Sequence, residues 1–145
     1  MELSCKCEYA VLALLTLVDH YQQGDPLQIR QIAAQQQIPD RYLEQLLATL
    51  RRSGLVCSQR GARGGYLLAR EPWKITLLEI INCIEGRESQ TLATSPENWT
   101  VEKAVVHEIW QDADQAVNKI FQNCTLQDLC DRRDAKQQAN LMYYI

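Results

Sequence analysis

The chain has 145 residues, enough for one domain or for one domain with a long appended helix. Apolar residues make up 46% and charged residues 23%, which excludes collagen-like, low-complexity and broadly disordered classes. The net charge of −3 hides an asymmetry: residues 41–74 carry seven basic side chains against two acidic ones, and residues 75–145 carry six against eleven. A basic segment inside an acidic chain predicts an anionic partner for that segment alone.

The first element is apolar. Tyr9–Val18 reads Y-A-V-L-A-L-L-T-L-V. It has no basic flank or small-residue cleavage site of the signal-peptide kind. It is also shorter than the roughly 20 residues a membrane span needs. The run therefore predicts a buried helix from about Cys5 to Tyr21, stopped by Gly24-Asp25-Pro26. Without an export signal a cytoplasmic, reducing location is expected. The six cysteines then read as buried thiols, metal ligands or redox sensors, not as a disulfide framework.

A second helix is predicted over Gln28–Gln36, and Gln37-Ile38-Pro39 is a short break. The third helix, Asp40–Arg52, repeats Leu43, Leu46, Leu47 and Leu50 at helical spacing. Gly54 is its stop. The period then changes to that of strands. Leu55–Arg60 and Tyr66–Arg70 form a predicted hairpin around Gly61-Ala62-Arg63-Gly64-Gly65. Thr76 and Glu79 have capping-box spacing for a helix over Leu77–Glu85. Arg87–Thr100 reads as a loop. A long helix, Val101–Asn123, follows, with a stripe of Val101, Val105, Ile109, Ala113, Val117, Ile120 and Phe121. Thr125 and Asp128 cap a short helix carrying Leu126 and Leu129, and the chain is polar from about Arg133 to Leu141.

The fold class is thus mainly α with a small β-hairpin. Helix, break, helix and glycine-tipped hairpin is the order of a winged helix-turn-helix. A helix fits the major groove of duplex DNA and presents its first residues to base edges. Here those are Arg41, Tyr42, Glu44 and Gln45. Arg41 suits guanine or phosphate, Gln45 adenine, Glu44 a cytosine amino group, and Tyr42 a phosphate. Arg51 and Arg52 at the helix end suit phosphates. In the wing, Arg60 and Arg63 suit a narrow minor groove, and Gly61 and Gly64 permit close backbone approach. An enzyme is not expected: there is no readable nucleophile–base pair or phosphate-cradling loop, and only two histidines are present.

The motifs Y-L-E-Q-L-L-A-T-L-R-R-S-G-L-V (Tyr42–Val56), R-G-A-R-G-G-Y-L-L-A (Arg60–Ala69), I-T-L-L-E-I-I (Ile75–Ile81) and T-L-Q-D-L (Thr125–Leu129), with the opening E-Y-A-V-L-A-L-L, are present together. They resemble the Rrf2-type bacterial winged helix-turn-helix transcription regulators typified by IscR, NsrR and CymR, over about residues 1–132. The resemblance implies a homodimer on a palindromic DNA operator, with Val101–Asn123 packed against its partner. The length of that helix supports the same expectation, because the remaining small body cannot cover it. The implied organisation is a DNA-binding domain (1–86), an effector loop (87–100) and a dimerisation helix with a short C-terminal helix (101–145).

The resemblance also implies an iron–sulfur or redox effector state. Cluster-binding relatives use three cysteines in the loop before the long helix, and residues 86–106 here contain none. His107 matches the family's ligand histidine, and Glu8 a glutamate that some members use across the dimer. Cys5, Cys7, Cys124 and Cys130 remain as metal or redox candidates, with a structural role as the alternative for each. Cys57 and Cys83 are expected to be small core residues. A cluster-free regulator, controlled by a partner protein or by thiol oxidation, is the second reading.

Overall fold

The computed structural model describes residues 2–86 and 96–143. Six helices and one hairpin follow in the order α1 (Cys5–Val18), α2 (Ile29–Gln36), α3 (Asp40–Arg52), β1 (Val56–Gln59), β2 (Gly65–Leu68), α4 (Leu77–Glu85), α5 (Val101–Gln122) and α6 (Leu126–Tyr143). The expected mainly helical architecture with a small hairpin is present. No helix among the described residues is long and apolar enough to cross a membrane.

α1 begins at Ser4, whose hydroxyl accepts from the Cys7 amide at 3.2 Å. It stops at Val18, one turn before the predicted Tyr21, and turns lead from there to Gly24. Ala10, Ala13, Leu14 and Leu17 form the buried face of α1. Against it pack Ile32 and Ala33 of α2, Leu43, Leu47 and Leu50 of α3, and Ile80 of α4. The α2–α3 break is closed by Gln37 in the left-handed region (φ 56°), which lets the Ile38 amide donate to Ala33 O at 3.0 Å. Ile38 is thereby buried, and α3 departs at Asp40 with its amphipathic face fixed against the core.

The strands pair antiparallel, Val56 opposite Leu68 and Gln59 opposite Gly65. A third segment adds to the hairpin. The Leu27 amide donates to Tyr66 O at 3.0 Å and the Tyr66 amide donates to Leu27 O at 2.7 Å. The start of α2 is therefore bonded to the wing.

The C-terminal region departs from expectation. The Thr125–Asp128 cap is present in both directions, at 2.9 and 3.2 Å. The helix it starts is not short, however: it runs 18 residues, through the polar stretch after Arg133. Residues 126–143 contain no proline or glycine, so nothing in the backbone stops the helix once capped. Its root is held in the body. Leu126 and Cys130 are buried, the Leu126 amide donates to Ile75 O at 3.0 Å, and the Leu77 amide donates to Cys124 O at 2.8 Å. Arg133 grips both carboxylate oxygens of Asp19, at 2.9 and 3.1 Å. Two cysteine expectations are also corrected. Cys57 is exposed, because strand alternation turns it away from buried Val56. Cys83 is only half-buried, and its thiol donates to Ser53 Oγ at 2.9 Å.

Candidate nucleic-acid interface

Core leucines on one side of α3 leave Asp40, Arg41, Glu44 and Gln45 exposed at its first turns. Tyr42 is half-buried, and its ring meets Tyr9 edge-to-face at 5.6 Å. This contact ties the start of α3 to α1. Cys5, Tyr9 and Pro39 join Arg41, Tyr42 and Gln45 around a shallow groove at this end of α3. Cys5 thus lies beside Arg41 and Gln45.

The arginines divide by their contacts. Arg51 donates to Ser58 Oγ at 3.1 Å, which binds the end of α3 to the wing strand. Arg52 donates to Thr49 Oγ1 of its own helix at 3.3 Å. Arg70 pairs with Glu79 at 3.0 Å and caps Lys74 O at 2.8 Å, a structural role. Among the described residues, Arg41, Arg60 and Arg63 enter no ion pair. Arg60, Gly61, Ala62 and Arg63 are all exposed at the wing tip. Gly64 is buried directly behind them, and a Cβ there would collide with the Gln59 carbonyl. Gln28 was not singled out by the sequence, yet its side-chain amide donates to Ala62 O at 3.4 Å. A contact across 34 residues leaves no local pattern to read.

The effector candidates are scattered. Cys7 is buried and its thiol donates to Glu85 Oε1 at 3.4 Å, as does the Ser4 hydroxyl at 3.0 Å. Glu8 is exposed on α1. His107 lies on α5, its ring stacked on Trp99. Cys124 is half-buried before α6 and Cys130 buried within it. Burial pushes both of these thiols up. Less thiolate means a slower nucleophile. Alkylation at neutral pH followed by mass spectrometry is expected to label Cys5 and Cys57 first and Cys130 last, with Cys130 catching up only as the pH is raised. Equal labelling rates would contradict the burial assigned to Cys130.

A family model described as Rrf2, iron-dependent transcriptional regulator, matches residues 3–132. The chain belongs to the Rrf2 family. It is 35% identical to the HTH-type transcriptional regulator CymR of Bacillus subtilis over 143 residues, covering 99% of each chain. It is 33% identical to the HTH-type transcriptional regulator IscR of Yersinia enterocolitica, covering 97% of this chain and 85% of that one. The solved structure of CymR, the global cysteine regulator of B. subtilis, superposes with a TM-score of 0.77 at 33% identity, over 91% of this chain and 98% of that one. The chain is accordingly an Rrf2-type transcription regulator and not an enzyme.

Iron dependence in the family's description raises the question of a metal centre. Iron–sulfur clusters are held by three or four thiolate or imidazole ligands. Residues 86–123 of this Rrf2 chain contain no cysteine. Among the described residues no three His, Cys, Asp or Glu side chains come together. The donor set of a single chain does not fit a cluster.

Proposed function

We propose that the protein binds a palindromic DNA operator as a homodimer and that its binding responds to redox state. One observation carries the dimer: α5 is 22 residues long and not one of them is buried. Val101, Val105, Ile109, Trp110 and Ile120 are each more than half exposed. An apolar surface of that length on a soluble helix marks an interface. A two-fold partner makes the same patch cover itself. It also sets two copies of α3 about 34–36 Å apart, on successive major grooves.

On each half-site α3 supplies Arg41, Glu44 and Gln45 to base edges, and the wing supplies Arg60 and Arg63 to phosphate or the minor groove. Arg51 and Arg52 contribute charge near the backbone, while the contact to Ser58 gives Arg51 a positioning role as well. The redox part of the reading rests on Cys5, an exposed thiol in the groove beside Arg41 and Gln45. Bulk or charge added to that sulfur would meet the DNA. Control by a partner protein is the competing reading. Treatment with diamide and glutathione, in which diamide takes the two hydrogens and leaves glutathione disulfide-bonded to Cys5, supports the redox reading if it weakens binding by the wild type and not by Cys5→Ser, whereas equal loss in both removes Cys5 from it.

The direct test selects a binding sequence from random duplexes and follows affinity by fluorescence anisotropy across salt concentrations. Arg63→Ala is expected to weaken binding to every retained sequence. It is also expected to lower the slope of log affinity against log salt by about one. Unchanged affinity with an unchanged slope would take the wing out of the interface.

A further inference from the structure

Three side chains at the start of α5 are unused by the DNA-binding reading. Trp99 stands one residue before the N-cap Thr100. Its indole folds back along the helix and stacks on the His107 imidazole, with ring centroids 4.2 Å apart and planes inclined by 27°. The Lys103 ammonium lies 5.3 Å from the centroid of the same indole. Residues 100, 103 and 107 share one helical face, so the contact is a fold-back spanning two turns. The Trp99 Nε1 atom is buried and among the described residues has no hydrogen-bond partner. Burying that donor is unfavourable by itself. The ring must be held by what touches it, an aromatic stack and a cation.

The same helix carries the histidine a metal centre would use. An imidazole ligand needs companions, and soft ones for a cluster. The segment from Gly86 to Asn123 has no thiol to offer. The six thiols are placed elsewhere: Cys5 at the α3 groove, Cys7 on Glu85, Cys57 exposed on the wing, Cys83 on Ser53, Cys124 between α5 and α6, and Cys130 inside the root of α6; among the described residues none joins His107 in a group of three donors.

We propose that Trp99, Lys103 and His107 form an aromatic clasp that fastens residues 96–99 to α5, and that the protein works without an iron–sulfur centre. His107 is then a stacking partner and not a ligand. The contacts of the clasp all lie within one chain, and its readouts are iron content and indole emission and not DNA binding or mass, so its failure is distinguishable from that of the operator and dimer reading.

Two measurements on the full-length protein test it. In the first, protein isolated anaerobically is incubated with ferrous iron and sulfide, desalted, and assayed for iron, acid-labile sulfide and visible absorbance. Contents far below one iron per chain and a featureless visible spectrum are expected. Stoichiometric iron and sulfide that disappear in His107→Ala overturn the proposal. In the second, Trp73→Phe and Trp110→Phe leave Trp99 as the only indole. Adding His107→Ala to that background is expected to shift and brighten its emission, because the stacked ring is removed. Far-ultraviolet circular dichroism confirms that the fold persists, and His107→Gln provides a second, milder removal. Emission unchanged in both His107 variants overturns the clasp.

Discussion

Ile109→Glu is expected to convert the protein to a monomer and to reduce operator affinity by at least a hundredfold. Ile109 lies mid-way along α5 and is 60% exposed within the single chain. Burial of such a side chain at an interface contributes about 1.5–3 kcal/mol. A carboxylate in its place loses that contribution and adds the cost of desolvating a charge. Two-fold symmetry enters the substitution twice. A total of several kcal/mol, at about 1.4 kcal/mol per factor of ten, carries the dissociation constant through more than two decades. Sedimentation equilibrium reads the mass, and anisotropy on a two-half-site duplex reads the affinity. Ile109→Leu, which keeps the apolar surface, should behave as wild type. A dimeric Ile109→Glu protein with unimpaired binding would mean that α5 is not the interface.

The fold was legible in the sequence where local rules govern. The α3 and α4 boundaries, Asp40–Arg52 and Leu77–Glu85, coincide with the predicted ones, because leucine periodicity, Gly54 and the Thr76–Glu79 box are all local signals. The length of α6 was not legible. A search for an apolar stripe finds none after Leu129, yet a capped helix of good helix formers needs none while its root is anchored. Cys57 was misplaced because a short strand in a wing has one face to solvent, and composition alone does not say which. Of the candidate site, the positions on α3 and the wing were legible, and most of them are exposed, Tyr42 being half-buried and Gly64 buried. The contacts that orient them were not: Tyr9 on Tyr42, Gln28 on Ala62 and Arg51 on Ser58 join elements far apart or of different type.

The same contacts refine the charge argument. Residues 41–74 carry an excess of basic side chains, but these are not equivalent. Arg70 is engaged by Glu79 and Lys74 by Glu71 at 3.6 Å, while Arg51 braces the wing. What remains for a polyanion is Arg41 at the start of α3 and Arg60 and Arg63 at the wing tip, with Arg52 between them in sequence. These cations share the exposed face of α3 and the wing with the carboxylates Asp40 and Glu44, and they are the charges whose removal should change the salt slope. Arg70→Ala, by contrast, is expected to act through α4 packing.

The wing is also where a single methyl group should do most damage. Gly65 opens β2 opposite Gln59, with φ near 155°, and its Cα faces the Leu27 backbone. A Cβ added there would collide with the Leu27 carbonyl and crowd the Gln28 amide. Both are backbone atoms and cannot swing aside. The strand pair must therefore separate at Leu27 and Tyr66, breaking the two bonds of 3.0 and 2.7 Å that hold the hairpin to α2. Each such bond contributes about 0.5–1.5 kcal/mol, and overpacking adds about 1–3 kcal/mol. Gly65→Ala should thus cost on the order of 2–5 kcal/mol of stability, a large part of what a domain of this size possesses. Operator affinity should fall more than it does for Arg63→Ala, because the whole tip is displaced along with Arg60. Gly61→Ala is the comparison. Its Cβ meets nothing within 4 Å, so only the strain of a positive φ (107°) is imposed. Thermal unfolding and anisotropy, run on both variants, should show a much lower Tm and lost binding for Gly65→Ala and a modest change for Gly61→Ala. Equal behaviour of the two would mean that the wing does not depend on its bond to α2.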